Sequence, residues 1–526
     1  MSSHFFSVWT NRFNYRPRHH AGSTGTAVLG KLFFSCICLT SPALTLAQDA
    51  YDFTKLIFEP VLIEVETGED NTPVIRELSS LPSRAPAISM ASITGLGRLS
   101  STADLVPDDV LISDDDIADP RLKPAEDASL TIETDIAQYE QAVKDMELLG
   151  GPYQIGLVQE LSALADLYQQ QGDHDKAIEI YERAWHIDRV NYGLFSLEQT
   201  PIVDEIIQSY LAVGDMYSAD TLQEYRFQLY KKNYDEGSVE LLPELARMAE
   251  WNIYAFAISP EAFRGNSKDY IDLISFRINR LLNAQNLYSN IVEILLNKSA
   301  TTDPRLLDAE RRLATTNYFF ATNFSSSNNA TVLPSQLNQN SINNPGGVSI
   351  SSMGFRYGSE ALERRVQHLR SLAPNDPAAI AAALVDLADW NLVFQKRNAA
   401  FELYAQAYQG MFDAGMPQES IDALLDPGIP VRIPAFIIAP FSRRAQSIAP
   451  EMALDYAGHI DVAFTLSRSG ATNSVEVIGK APDTPEMVES ALLRYLKETQ
   501  FRPRFQQGAP ENKSPVTLRY YYTFSS

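Results

Sequence analysis

LSALADLYQQQGDHDKAIEIYERAWHI, the stretch from Leu161 to Ile187, holds two short runs of helical periodicity on either side of a glycine. Leu161, Leu164, Ala165, Leu167 and Tyr168 recur at the three- and four-residue spacing of one helix face; Gly172-Asp173 interrupts them, and Ala177, Ile178, Tyr181, Ala184 and Ile187 resume the pattern. Two helices that cross tightly need small residues at the crossing, here Ala165 against Ala177. They also need a residue that tolerates a left-handed turn between them, which is the role of Gly172.

The pattern resembles a tetratricopeptide repeat, whose small, aromatic and glycine positions fall here on Ala165, Tyr168, Gly172, Ala177, Tyr181 and Ala184. A second copy runs through Ile206, Ile207, Tyr210, Gly214-Asp215 and Ala219, with Gly214 standing 42 residues after Gly172. That spacing exceeds the roughly 34 residues usual for the family, and the excess falls in an inter-repeat loop at Asn191–Thr200. A third copy begins with Leu245, Met248, Ala249, Trp251 and Asn252 and loses its second helix to Pro260. A fourth runs through Leu384, Leu387, Ala388, Trp390, Asn391, Ala400, Phe401, Tyr404 and Ala407, with Gln395 where the turn glycine belongs. The related quartets Ala249-Glu250-Trp251-Asn252 and Ala388-Asp389-Trp390-Asn391 place these two helices at equivalent positions in the array.

Outward from the repeats, Thr134–Leu149 carries an apolar stripe ended by Gly150-Gly151-Pro152. Lys268–Asn297 and Leu306–Phe320 also have helical spacing and are expected to pack onto the solenoid. The helical region therefore spans 131–424, interrupted at 323–352 by a Ser/Asn-rich loop. Residues 425–449, with Pro427, Pro430, Pro434 and Pro440, read as a linker.

Two or more domains are expected from 526 residues. The N-terminus has Arg12, Arg16, Arg18 and Lys31, no acidic residue before Asp49, and an apolar run from Leu32 to Ala47. This is the layout of a signal peptide over 1–47, cleaved after Ala47, and it implies export to the periplasm. An uncleaved, single-pass inner-membrane anchor is the alternative, although Pro42 interrupts the run and shortens it for a spanning helix. Cys36 and Cys38, the two cysteines, lie inside that run, so the cleaved chain has no thiol for disulfides, metal or nucleophilic attack. Cleavage moves the net charge from −23 to −27 by removing four basic residues. Such a polyanion is repelled by nucleic acid and by anionic lipid. Residues 48–130 are acidic and rich in Ser, Pro and Asp; Leu56–Val65 forms a short strand there, and the remainder buries too little to offset the entropy of ordering it.

The C-terminus changes period. Ile460, Val462, Phe464 and Leu466 alternate, Gly470 turns the chain, and Val475 and Val477 begin a return strand. Met487, Ala491, Leu492, Tyr495 and Leu496 line one helix face, and Leu518, Tyr520, Tyr522 and Phe524 alternate in a last strand. The order strand, strand, helix, strand makes a small α+β layer. Pro450, Ala453, Gly458, Val462, Phe464, Gly470, Phe501, Pro503 and Gly508 resemble, in order, the motif positions of the C-terminal domain of TonB-type energy transducers, over 450–526. The resemblance implies a periplasmic domain whose sheet edge accepts an extended peptide from an envelope protein such as an outer-membrane transporter. Arg502, Arg504, Tyr520 and Tyr522 are the candidate peptide-binding residues, the two arginines having solvated surface charge as their alternative reading. A transducer also needs a retained membrane helix and a long Pro-rich spacer, and a repeat array stands where that spacer belongs.

No catalytic, metal or cofactor site is expected. Gly25 to Lys31 matches the spacing of a phosphate loop, but Leu32 replaces the magnesium-binding hydroxyl and the segment lies in the signal. His174, His186, His368 and His459 are scattered singly. Trp185, Trp251 and Trp390 read as core, with at most one facing a groove. The expectation is a tetratricopeptide-type α-helical solenoid followed by a small α+β, TonB C-terminal-like domain, acting as a non-enzymatic scaffold. Ala165, Tyr168, Gly172, Ala177, Tyr181, Ala184, Gly214, Ala219, Ala388, Ala400, Tyr404 and Ala407 are its expected packing residues.

Overall fold

Gly-Asp is the turn that builds the first hairpins. Gly172 and Gly214 adopt φ of 80° and 77°, and the aspartate that follows each caps the next helix, Asp173 accepting from the Lys176 amide at 3.1 Å and Asp215 from the Ser218 amide at 3.0 Å. The computed structural model describes residues 56–67, 73–77, 88–89, 126–258, 260–264, 273–298, 303–323, 350–436, 456–506 and 508–524. The segment 1–47 read as a signal, the Asp-rich part of the acidic segment and most of the Ser/Asn-rich loop lie outside the described residues. All described residues belong to one unit, Asp52–Ser526.

The helices are α1 (Glu126–Gly150), α2 (Leu157–Gln170), α3 (His174–Tyr192), α4 (Thr200–Ala212), α5 (Met216–Asn233), α6 (Leu242–Ala257), α7 (Leu273–Lys298), α8 (Pro304–Asn323), α9 (Ile350–Leu372), α10 (Pro377–Val393), α11 (Arg397–Asp413) and α12 (Gln418–Leu425). From α2 to α11 they pack as five consecutive antiparallel hairpins. Asn191 donates to the carbonyls of Tyr153 and Ile187, and Asn233, 42 residues later, donates to those of Phe195 and Leu229. Tyr168 donates to Glu140 and Tyr210 to Glu182 at the same offset. Helix α1 thus occupies the place of a second helix from a preceding repeat. Its outward residues Asp135, Gln138, Lys144 and Asp145 are exposed and polar, as the end of a solenoid requires.

Three expectations change here. The third repeat keeps its second helix: Pro260 opens only a short 3-10 turn, and α7 then packs against α6. Helix α8 gains a partner in α9, which begins inside the segment read as loop. That helix reaches close enough to α10 that a Cβ on Gly358 would lie 2.2 Å from the Trp390 ring. In the α10–α11 turn Gln395 adopts φ of 62°, keeping the left-handed geometry without a glycine.

The C-terminal layer contains β4 (Gly458–Ser467), β5 (Thr472–Lys480), helix α13 (Glu486–Glu498) and β8 (Lys513–Phe524), with a two-stranded insertion, β6 (Phe505–Gln506) and β7 (Ala509–Pro510). Val488, Leu492, Tyr495 and Leu496 of α13 pack on Ile460, Val462, Phe464, Leu518, Tyr520 and Tyr522. The sheet is larger than its C-terminal sequence. Strand β1 (Leu56–Thr67) lies antiparallel to β8 from Leu56↔Phe524 to Leu62↔Leu518, and it carries β2 (Pro73–Glu77) and β3 (Ile88–Ser89) on its far side. The assignment of 48–130 as mostly disordered is therefore corrected for these strands and for the start of α1. Leu56–Val65 had too few apolar neighbours in sequence, and its packing partner lies more than 400 residues away.

Residues 426–436 are likewise not a free linker. The Ile433 amide donates to the Gln500 carbonyl at 3.0 Å, the Arg502 amide donates to the Val431 carbonyl at 2.7 Å, and Ile429, Ile433 and Phe436 are buried.

Candidate functional site

On α6 and α10 the acidic residue that follows the small crossing residue pairs with an arginine of a following unit. On α10 this is Asp389, fully buried. The Tyr404 hydroxyl donates to its Oδ1 at 2.5 Å, and Arg502 closes the cluster with Nε to Oδ1 at 3.0 Å and Nη2 to Oδ2 at 2.6 Å. Arg502 also donates through Nη1 to the Leu424 carbonyl at 2.9 Å. Burial pulls the guanidinium down, the facing Asp389 carboxylate more than compensates, and the net shift is upward, so Arg502 stays charged. Burial and then Asp389 push the Tyr404 hydroxyl well up, keeping it a donor.

Glu250 on α6 takes Arg312 of α8 in the same way, and Arg312 is held by Asp308 at 2.6 Å. A following unit thus supplies an arginine to the acid of the preceding one. At Asp389 that following unit is the α+β layer, which docks as though it were the next repeat. Further contacts fix it there: Arg504 Nε donates to Asp426 at 2.6 Å, the Arg468 guanidinium stacks over Phe401, and Phe505 packs on Tyr404 at 4.7 Å between ring centroids.

These placements correct the assigned peptide-binding residues. Arg502 is buried in the junction and Arg504 is half-buried against Asp426, while Tyr520 and Tyr522 point into the core under α13. The strand register decides the last two, since alternate residues of β8 must face the helix. The packing residues Ala165, Ala177, Tyr181, Ala184, Ala219, Ala388, Ala400, Tyr404 and Ala407 are all fully buried. Tyr168 is half-buried, and Gly172 and Gly214 make the turns. Trp185, Trp251 and Trp390 are each buried, with Trp185 Nε1 donating to Gln199 and Trp251 Nε1 to Asp220, both at 2.7 Å. Among the described residues no group of three His, Cys, Asp or Glu is placed to hold a metal ion.

The last turns of α1 and α3 and the connections that follow them carry large apolar side chains in solvent: Leu148 and Leu149 are 85% and 88% exposed, and Tyr153, Val190, Leu194 and Phe195 are 46–55% exposed. Leu148 and Val190, like Tyr153 and Phe195, are equivalent across the 42-residue repeat. Loops of this kind are ordinarily polar, so a rim repeated on two levels was a signal available in the sequence.

No known family's sequence profile matches the chain, and no curated protein matches it. Among solved structures, the chain is similar to the nearly identical TPR-like repeats of a Podosopora anserina protein described as a kinesin light chain, with 16% identity and a TM-score of 0.30 over 49% of this chain and 97% of that one. It is also similar to BtubC (BKLC) from P. vanneervenii, with 17% identity and a TM-score of 0.27 over 54% of this chain and 92% of that one. Likenesses of that size say nothing about partners. The helical-hairpin solenoid stands on the hairpins, turns and 42-residue register of the chain itself.

Proposed function

We propose that this chain is a non-enzymatic interaction scaffold of the cell envelope, exported through its N-terminal signal with cleavage after Ala47, and that it binds an envelope protein or an extended segment of one. The carrying observation is the two-level rim of exposed apolar residues, Leu148, Tyr153, Val190 and Phe195, at the helix ends and connections of consecutive repeats. Large apolar side chains kept in water on equivalent loops mark a protein-binding surface. The TonB-like reading of the C-terminal layer rests on the sequence motif alone; what supports a peptide-binding role there is a sheet whose last strand takes a further strand along its edge.

Full-length chain carrying Tyr153→Ser and Phe195→Ser is expected to lose captured partners from an envelope extract while keeping its thermal midpoint. An unchanged partner set would remove the rim as the binding surface. The second reading, a membrane-anchored TonB-type transducer or accessory for outer-membrane transport, is motivated by the apolar run Leu32–Ala47. N-terminal sequencing of the exported protein separates the two. A start at Gln48 rejects the anchored form, and an intact run rejects the cleaved one.

A further inference from the structure

We propose that the outer edge of β8 is a strand-addition site already filled in cis by residues 56–62, and that this internal occupant displays the side-chain pattern an extended partner segment must carry to replace it. The inference rests on the peptide-binding reading of the C-terminal layer given above. Seven consecutive residue pairs, Leu56↔Phe524 to Leu62↔Leu518, join β1 to the edge. Among the described residues, the far side of β1 is paired at Ile57–Phe58 with β3 and at Ile63–Thr67 with β2. Between those two stretches lies Pro60, a residue confined to edge-like strands because it has no amide to donate. Residues 56–62 lie antiparallel along β8, the direction an added strand would take there.

Three side chains give the occupant its specificity. Phe58 is fully buried and meets Tyr520 edge-on, with ring planes at 90°. The Glu59 carboxylate accepts from the Tyr456 hydroxyl. Leu62 lies over Gly428, where an added Cβ would stand 2.9 Å from its Cδ1. The recognised pattern is an aromatic residue, a carboxylate immediately after it and an aliphatic residue three positions further on, in an extended chain antiparallel to β8. Residues 90–125, 36 in number, join β3 to α1. A tethered strand acts at an effective concentration of order millimolar, so a free peptide must compete against it.

The test uses the full chain with a protease site inserted between residues 90 and 125, cut or uncut, and a labelled synthetic peptide of residues 54–67. Cutting removes the tether, and the peptide is expected to replace the released N-terminal fragment and to bind the cut chain at least about 10-fold more tightly than the uncut one. A peptide carrying Phe58→Asp is expected not to exchange. Failure of the wild-type peptide to exchange into the cut chain would mean that β1 is a permanent strand of the fold and would overturn the proposal. So would equal binding to cut and uncut chain, or binding indifferent to Phe58. Exchange with no envelope partner captured would leave the strand site standing and reject only the envelope-scaffold reading.

Discussion

Hairpins α2–α3 and α10–α11 carry the same local device and meet opposite surroundings. In each, a tyrosine fifteen residues on donates to the aspartate beside the small crossing residue, Tyr181 to Asp166 and Tyr404 to Asp389. Asp166 faces solvent, whereas Asp389 is sealed from it beneath Arg502. The aspartate–tyrosine pair is thus a property of the repeat, and its burial is a property of what docks next. A charge that is inexpensive in the first hairpin needs an arginine from the C-terminal layer in the last.

The largest test of that contrast is Arg502→Ala. It leaves a buried carboxylate facing only a tyrosine and is expected to cost about 3–5 kcal/mol, read as a lower midpoint in chemical denaturation together with separation of the C-terminal layer from α10. The double variant Arg502→Met, Asp389→Leu is expected to recover most of the loss, which a merely steric role for Arg502 would not allow. Gly358→Ala drives a methyl into Trp390, the neighbour of Asp389, and should cost about 1–3 kcal/mol; no loss would mean that α9 and α10 are less closely packed than described.

Glu205 on α4 faces the carboxylates of Asp166 and Asp204, while Asp204 beside it takes Arg226 and Arg247. Burial, with Asp166 and Asp204 adding to it, pushes the Glu205 carboxyl up to about 6. A carboxyl raised in the folded state binds more protons there than in the unfolded chain between its two pKa values. Its contribution is therefore complete below about 4.5 and is lost as pH rises to about 6. Allowing for partial exposure, Glu205→Gln is expected to add about 1 kcal/mol above pH 6 and to flatten that limb of the stability profile; a profile of unchanged slope would place the titration elsewhere.

Smaller effects complete the series. Gln395→Gly should relieve the left-handed turn and stabilise the α10–α11 hairpin by about 0.5–1 kcal/mol, seen as slower amide exchange across it. Asp166→Asn, the counterpart of the arginine variant in the open hairpin, should change stability by less than about 0.5 kcal/mol. A loss comparable to that of Arg502→Ala would erase the contrast between the two hairpins.

Legibility in the sequence followed range. Leu161–Ile187 announced its hairpin because helix periodicity, a glycine and a capping aspartate act within a few residues of one another. Helix α9 went unread even though Phe355, Leu362, Val366 and Leu369 carry a helical stripe, because it follows a Ser/Asn-rich stretch and its start was absorbed into that loop. Strand β1 was recognisable by alternation but had no visible partner. The apolar rim at Tyr153 and Phe195 runs against the expectation that connections are hydrophilic, and its only local mark is the same kind of side chain at equivalent positions 42 residues apart.

Within the sequence alone lie the repeat period, the Gly-Asp turns, the small residues at helix crossings and the alternation of β4 and β8, since each depends on backbone preferences and side-chain volumes over less than one hairpin. Tertiary structure decided three other things: that Arg502 is an internal counter-ion and not a surface contact, that Tyr520 and Tyr522 face the core, and that β8 is met by a strand from the opposite end of the chain. Burial of a charge and the filling of a sheet edge depend on which distant segments come together, and no local pattern of residues carries that information.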